Sequence, residues 1–448
     1  MIGIVISRAD VASETIGEQL RAVADWETRT DETRDPAAGG GTYYRREGIS
    51  MRTFEELHLY LDRVAEAFDD PSVIVVASRH SGDTGPLLSA HHTGNFGAAD
   101  YGGEPRTLAV AAPNVTAAAI DALQTHAPDP YDVSLECTHH GPTTVGAPSL
   151  FIELGSDEAQ WRDPEGAEAV ARAILSLSAE VPDRERTVIG IGGNHYAPRF
   201  TRIVTETDWA LGHIAADWSL EAMGEPDPAL VEAMFEQSGA ERVVFDGEHP
   251  AVAEVIERLG YERVSETWLK ETTGVSLAAV EHLESAVGAI DDGTRLGVPA
   301  REWDPTDDAV QLITLPNTLL EAVQGIDRER TRQAVERTCL AYRTSESGTV
   351  IEPTAAIRGA DATTYGLPTE LLDALLDILG AQYDRVRREG GTIIAERETF
   401  DPEAAAKQGV PEGPKFGQLA NGHSVEVDGK QVDPESVRRT QRERFDLR

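Results

Sequence analysis

Tyr131–Gly155 reads YDVSLECTHHGPTTVGAPSLFIELG and contains two apolar runs of strand length, the first ending in a carboxylate, a thiol and a histidine pair. Period-two alternation puts Val133, Leu135 and Cys137 on one face of that strand and Ser134, Glu136 and Thr138 on the other. Gly141 and Pro142 stop regular continuation. His139 and His140 are therefore expected in a turn at a carboxyl-terminal strand end, where open α/β sheets carry their ligands.

Upstream, SVIVVAS (Ser72–Ser78) is apolar on both faces, as a central parallel strand would be, and delivers Arg79 and His80 at its end. Before it, Gly3–Ser7 reads as a strand and Val11, Ile16, Leu20 and Val23 as one helical stripe. Residues 25–41 read as a polar loop, Thr42–Arg45 as a short strand and Leu61–Phe68 as a helix. Ser81–Gly103, containing SAHHTGNFGAADYGG, reads as a loop too long to be an ordinary connection. Downstream, the expected helices are Val115–His126, Glu165–Leu177 and His249–Leu259, and the strands begin at Thr187, Ala210 and Arg242. This alternation predicts a three-layer α/β domain with a mixed or mostly parallel sheet over residues 1–270. Residues 271–448 read as an α+β extension: helices Val275–Val287 and Thr369–Leu379 around a long irregular middle, then Arg385, Arg387, Arg388, the strand GTIIAERETF and a basic tail.

Charge sets this chain apart. Against 40 basic residues stand 78 acidic ones, a net of -38 over 448 residues, and Lys occurs only at Lys270, Lys407, Lys415 and Lys430. Acids spread along the whole chain point to a surface adapted to concentrated salt, where the Debye length is ~3 Å at 1 M, and not to a disordered acidic tail. Such a charge does not argue against a nucleic-acid partner. Two distant cysteines without a CxxC imply a reducing compartment. With no basic leader and no apolar run of spanning length, a cytoplasmic, monomeric protein without membrane contact is expected.

Five segments end in polar residues at expected strand ends: His80; His91 and His92; Glu136, His139 and His140; Asn194 and His195; and His213. Imidazole and carboxylate ligands on such loops suit Zn²⁺, which needs three protein ligands and one open position to generate hydroxide near neutral pH. No HExxH or paired CxxC is present, and each histidine taken singly also reads as a half-buried hydrogen-bonding residue. Glu153 lies inside an apolar strand, where a carboxylate is costly unless paired or metal-bound; a strand-end Glu reaching solvent is the other reading. Cys137 is either a thiolate nucleophile beside His139 or, from its apolar face, an inert buried thiol. GxGxxG is not completed at Gly192 and Gly193, and GxxxxGK[ST] is absent, so nucleoside-triphosphate chemistry is unsupported.

Six motifs in fixed order, SRHSG, AHHTGN, ECTHHGPT, FIELGS, GGNHYAPRFT and GHI, resemble the archaeal and plant-type D-aminoacyl-tRNA deacylase family over residues 1–270. The resemblance implies a zinc-using hydrolase that frees D-amino acids such as D-tyrosine from mischarged tRNA, on a fold of the phosphorylase and peptidyl-tRNA hydrolase type. By motif it implies catalytic His139, His195, Asn194 and Glu136. The matching positions also include His80, His91 or His92, His140, Glu153 and His213; among them we assign metal ligation to His80, His91, His140, Glu153 and His213, and we assign substrate contacts to Arg79, His92, Asn95, Gly141, Gly192, Gly193 and Arg199. In this scheme a metal-bound hydroxide, or water activated by His139 or His195, attacks the aminoacyl carbonyl, with backbone N–H groups at Gly141 or Gly192–Gly193 steadying the oxyanion. Arg79, Arg199, Arg202 and the tail Arg438–Arg448 are read either as phosphate contacts or as solvated surface charge. After GHI the chain has Ala215, Ala216 and Asp217 where the family pattern has a Pro-Lys-Tyr-like run. GVPEGPKFGQLANG (409–422) resembles a short segment of ribonuclease Z without that enzyme's HxHxDH, and reads as a tRNA-facing element or a turn-rich linker. The competing readings are a peptidyl-tRNA hydrolase or nucleoside phosphorylase on the same architecture, and a non-catalytic tRNA-binding factor.

Overall fold

Runs of Val and Ile build the central strands, because branched Cβ atoms suit a pleated surface covered on both sides. The computed structural model describes residues 1–177, 186–306, 308–361, 363 and 366–447. They form two units, Met1–Thr273 and Gly274–Arg448.

In chain order the first unit comprises β1 (Ile2–Ser7), α1 (Val11–Ala22), β2 (Glu27–Asp31), β3 (Gly41–Arg46), β4 (Ile49–Phe54), β5 (Val73–Arg79), β6 (Leu87–His91), a short pair β7 (Gly94–Asn95) and β8 (Thr107–Leu108), α2 (Pro113–His126), β9 (Asp132–Leu135) and β10 (Ser149–Gly155). There follow α3 (Glu158–Trp161), α4 (Pro164–Ser176), β11 (Thr187–Gly192), α5 (Pro198–Glu206), β12 (Ala210–Ala215), α6 (Asp217–Met223), α7 (Pro228–Ser238), β13 (Arg242–Asp246), α8 (Pro250–Leu259), β14 (Glu262–Val264) and α9 (Glu266–Thr272).

These strands make two principal sheets where one was expected. The larger is mixed, in the order β2-β3-β4-β1-β5-β10-β6-β9, and the smaller is parallel, β12-β11-β13-β14. Helices α1, α2 and α4 pack on one face of the large sheet. The other face is covered by short 3₁₀ turns at His58–Tyr60 and Val64–Ala67, so the helix expected over Leu61–Phe68 is a single turn. Phe54, Val76, Phe151 and Phe68 form the core beneath those turns. Residues 25–41 hold the edge strand β2, and the long loop 81–103 holds β6. Strand β6 runs antiparallel to β10 and parallel to β9.

The second unit contains α10 (Leu277–Val287), β15 (Thr294–Leu296), β16 (Val310–Thr314), α11 (Asn317–Ile326), α12 (Arg328–Thr338), β17 (Ala341–Ser345), β18 (Val350–Arg358) and α13 (Thr369–Gly380). It ends with β19 (Arg385–Glu389), β20 (Thr392–Phe400), α14 (Pro402–Lys407), α15 (Pro414–Ala420), β21 (Val425–Val427), β22 (Lys430–Val432) and β23 (Arg438–Asp446). The expected irregular middle is therefore an antiparallel sheet, β15-β17-β18-β16, sharing a core of Leu319, Val335, Leu371 and Leu375 with its helices. The basic tail is strand β23, in which Arg442 reaches Glu396 of β20; Arg448 lies outside the described residues. The 409–422 segment forms α15 and packs Leu419 with Val410, Val425, Val432 and Val437.

Candidate active site

The register of the large sheet assembles the site. Ser78 of β5 pairs with Glu153 of β10, which pairs with Ser89 of β6, and one step along Phe151 faces His91. Aligned residues project from the same side of a sheet. Ser78, Glu153 and His91 therefore share one face, joined by Glu136, whose N–H donates to the Ala90 carbonyl just past β9 (3.0 Å). As expected, the cluster gathers largely at strand ends: His80 directly follows β5, His91 closes β6, and Glu136, His139 and His140 follow β9. Ser78 and Glu153 lie inside β5 and β10, and they join it because β6 runs against β10 and brings its carboxyl end alongside that strand's interior.

The small sheet adds the remaining side chains through Cys137 and Thr138. The Cys137 N–H donates to the His195 carbonyl (2.8 Å) and the Thr138 N–H to the Ile214 carbonyl (2.9 Å), so the strand end of the first sheet is tied to two strand ends of the second. His195 Nε2 then lies 2.7 Å from Glu136 Oε2. Its Nδ1 is 3.6 Å from Cys137 Sγ.

His80 Nδ1 stands 3.1 Å from Glu136 Oε1 and 3.6 Å from Glu153 Oε2. Burial opposes a charge on His80, but the two carboxylates outweigh it and raise the group to about 10. Burial would likewise raise both acids. Hydrogen bonding from His195 and His80 instead holds Glu136 well below the usual carboxylate range, and His91 and His80 do the same for Glu153, which also accepts from Ser78 Oγ (2.8 Å).

Three imidazoles form the other half. His91, His139 and His140 stack and meet edge-on with ring centroids 4.1 to 4.9 Å apart. Each has Nδ1 at a backbone carbonyl: His91 to His92 (3.1 Å), His139 to Cys137 (2.8 Å) and His140 to Gly141 (2.7 Å). At His139 and His140 such bonds fix the Nδ1–H tautomer and leave Nε2 as the lone-pair nitrogen, the arrangement of metal-binding histidines. His91 Nε2 instead faces Glu153 Oε1 at 3.3 Å; burial opposes a charge there, but the carboxylate outweighs it and raises the imidazole above its ordinary value. Burial keeps His139 and His140 neutral, pushing His140 down to about 3. His140 holds φ 44°, a strained value for a non-glycine residue. One donor atom from each of the three lies within 4.8 Å of the others, and the same holds for His80, Glu136 and Glu153. Buried His91 Nε2 and Glu136 Oε1 make no well-aligned hydrogen bond, their near neighbours being Glu153 Oε1 at 3.3 Å and His80 Nδ1 at 3.1 Å, an arrangement open to a cation.

A cavity of about 400 Å³ opens over the cluster, lined by His58, Arg79, His80, Tyr101, His139, His140, Glu153 and His195. Not every expected residue reaches it. His92 has Nδ1 at the Gly212 carbonyl (3.2 Å) and Nε2 at Thr116 Oγ1 (2.9 Å), and His213 has Nδ1 at Thr138 Oγ1 (3.0 Å) and Nε2 at the Ala109 carbonyl (2.9 Å). With both nitrogens engaged, and burial lowering them to about 3 and about 4, these two brace the junction of the sheets. The Gly141 N–H donates to the Tyr101 carbonyl (3.0 Å), so it is not a free oxyanion donor. Gly192 and Gly193 serve close packing, since a Cβ on either would meet Asp246 at 2.1 and 2.6 Å.

Asn194 is exposed and accepts from the Tyr196 N–H (2.9 Å), shaping the His195 loop. Asn95 Nδ2 donates to Gly102 and Glu104 carbonyls, holding the loop that carries Tyr101. Arg199 and Arg202 are engaged by Glu266, whereas Arg79 lies over Trp161 at the cavity. Cys137 is buried, and burial pushes its thiol up to about 12, which makes it inert. Sequence reasoning missed His58, whose Nδ1 is 3.8 Å from buried Asp10 Oδ2. It sits in a 3₁₀ turn with no periodic signal.

Residues 67–264 match the family model described as D-aminoacyl-tRNA deacylase. A protein named D-aminoacyl-tRNA deacylase from Natronomonas pharaonis is 52% identical over 100% of both chains, and one from Haloarcula marismortui is 47% identical, again over 100% of both. The crystal structure of a conserved protein of unknown function is 31% identical with a TM-score of 0.55, covering 61% of this chain and 98% of that one.

Proposed function

The chain belongs to the D-aminoacyl-tRNA deacylase family and hydrolyses the ester of D-aminoacyl-tRNA, and on that premise we propose that the histidine cavity performs the reaction with Glu136 and His195 as its proton-handling pair. The observation that carries this reading is the 2.7 Å contact between Glu136 and His195 at the edge of the cavity, beside His139 and His140, whose tautomers are fixed. Glu136 orients His195 through Nε2, and Nδ1, weakly engaged by the Cys137 thiol at 3.6 Å, is the nitrogen that takes a proton from the attacking water and returns it to the leaving ribose oxygen. His80, charged between its two carboxylates, offers a positive group to the carbonyl oxygen as it gains charge. Arg79 reaches the cavity mouth, where a phosphate of the substrate would enter.

His91, His139 and His140 would hold a divalent cation such as Zn²⁺, which when bound would polarise the ester carbonyl and lower the pKa of water. Glu153, 3.3 Å from His91 Nε2, would supply part of the compensating charge. Among the described residues no helix is long and apolar enough to cross a membrane. We infer a cytoplasmic monomer that acts on D-tyrosyl-tRNA in preference to L-tyrosyl-tRNA.

The test is elemental analysis of the purified protein, then D- and L-tyrosyl-tRNA turnover with and without chelator in concentrated salt. About one metal per chain, lost with activity on chelation, is the expected result. Full activity in metal-free protein would leave His195 and Glu136 to act alone and remove the cation from this account.

A further inference from the structure

Exposed aromatic rings flank the histidine cavity. Trp218 is 44% exposed and Tyr101 67%, although burying rings of this size is ordinarily favourable. Tyr101 lines the cavity, and the Trp218 ring stacks on His195, centroids 6.2 Å apart and planes 30° from parallel.

Neither ring is on a loose segment. The Tyr101 carbonyl accepts the Gly141 N–H beside the histidine pair. Trp218 sits in the first turn of α6, where the Asp217 N–H donates to the Gly193 carbonyl (3.0 Å), Asp217 Oδ1 lies 3.3 Å from His249 Nε2, and Ser219 is fully buried. The Trp218 ring is thus held at a fixed angle beside the proton-handling imidazole, with one face toward His195 and nearly half its surface in solvent.

The nucleoside that carries an aminoacyl ester is the unpaired 3′ end of an RNA strand. Unstacked bases bind protein chiefly by lying on aromatic rings, which suit any base and need little charge complementarity. That matters on a surface of net charge -38, where phosphate attraction is weak. Resting on the deacylase reading, we propose that Trp218 is the stacking platform for the 3′-terminal base of the substrate, with Tyr101 on the opposite lip, and that this contact brings the ester over His195. Trp218 is a binding residue in this scheme; the proton transfers belong to its neighbour.

Two substrates separate the roles: 2′(3′)-O-D-tyrosyl adenosine, which has the base, and D-tyrosine ethyl ester, which lacks it. Trp218→Ala should raise KM for the adenosine ester about ten- to hundredfold, shrinking its preference over the ethyl ester by the same factor, while Trp218→Phe keeps most of the preference. An unchanged preference overturns the proposal. So does an equal loss on both esters, which would make Trp218 a brace for His195. A binding measurement independent of turnover completes the test: adenosine 5′-monophosphate should quench tryptophan emission of the wild-type protein and not that of Trp218→Phe. Absence of quenching in the wild type overturns the proposal. Quenching without turnover of D-tyrosyl-tRNA would support the platform and remove the deacylase reading instead.

Discussion

Seven histidines in the ordered motifs look alike in sequence, and the structure separates them by which ring nitrogen is occupied. At His139 and His140 a carbonyl within two residues takes Nδ1 and Nε2 stays open. At His213 both nitrogens are taken, one by Thr138 and one by Ala109. His139→Ala or His140→Ala should therefore lower kcat by about 10²–10⁴-fold with little change in the unfolding midpoint. His213→Ala should cost roughly 2–4 kcal/mol of stability, because it strands a buried hydroxyl and a carbonyl. Thermal melts beside turnover measured well below both transitions check this, and a His213 variant as stable as wild type would dissolve the distinction. The motifs made the cluster legible, since acids and imidazoles in one order have few reasons to recur. They could not exclude His92 or His213, whose partners Gly212 and Ala109 come from segments 120 and 104 residues away.

Strand ends and strand interiors together position the chemistry. Alternation in VSLECT put Ser134 and Glu136 on the face opposite Leu135, and His139 and His140 do stand in the turn after β9. Nothing local reveals that β6 and β9 run against β5 and β10, which brings their carboxyl ends beside the interior of β10. β6 was hidden inside a Gly- and His-rich stretch. β2 was hidden too: it is a largely exposed edge strand with no apolar pattern to show it. Where β11 ends, Gly192 has φ 93° and passes within 2.1 Å of the Asp246 carbonyl, measured from the Cβ it lacks. Gly192→Ala should destabilise the small sheet by about 2–4 kcal/mol and displace the loop holding His195. Its signature would be a lowered unfolding midpoint together with a fall in kcat, and a variant indistinguishable from wild type would show that the loop tolerates the shift.

For the molecule as a whole, charge governs the conditions under which this site exists. With a net of -38, self-repulsion is screened over ~3 Å at 1 M salt but reaches ~10 Å at 0.1 M. Dilution from multimolar salt to 0.1 M should lower the unfolding midpoint by on the order of 10 °C, equivalent to ~3–5 kcal/mol in a domain of this size. A salt-independent midpoint would show that the ion pairs already neutralise the surface. Composition made this property legible, whereas the sheets of the second unit, built from short strands, left little periodic trace. The ties at Cys137 and Thr138 carry a kinetic consequence, for they join residues 58 and 76 positions apart along the chain. Contacts of such long range form late, after local helices have already condensed. During renaturation from denaturant the circular dichroism signal should recover first, and ester cleavage should lag until the two sheets dock.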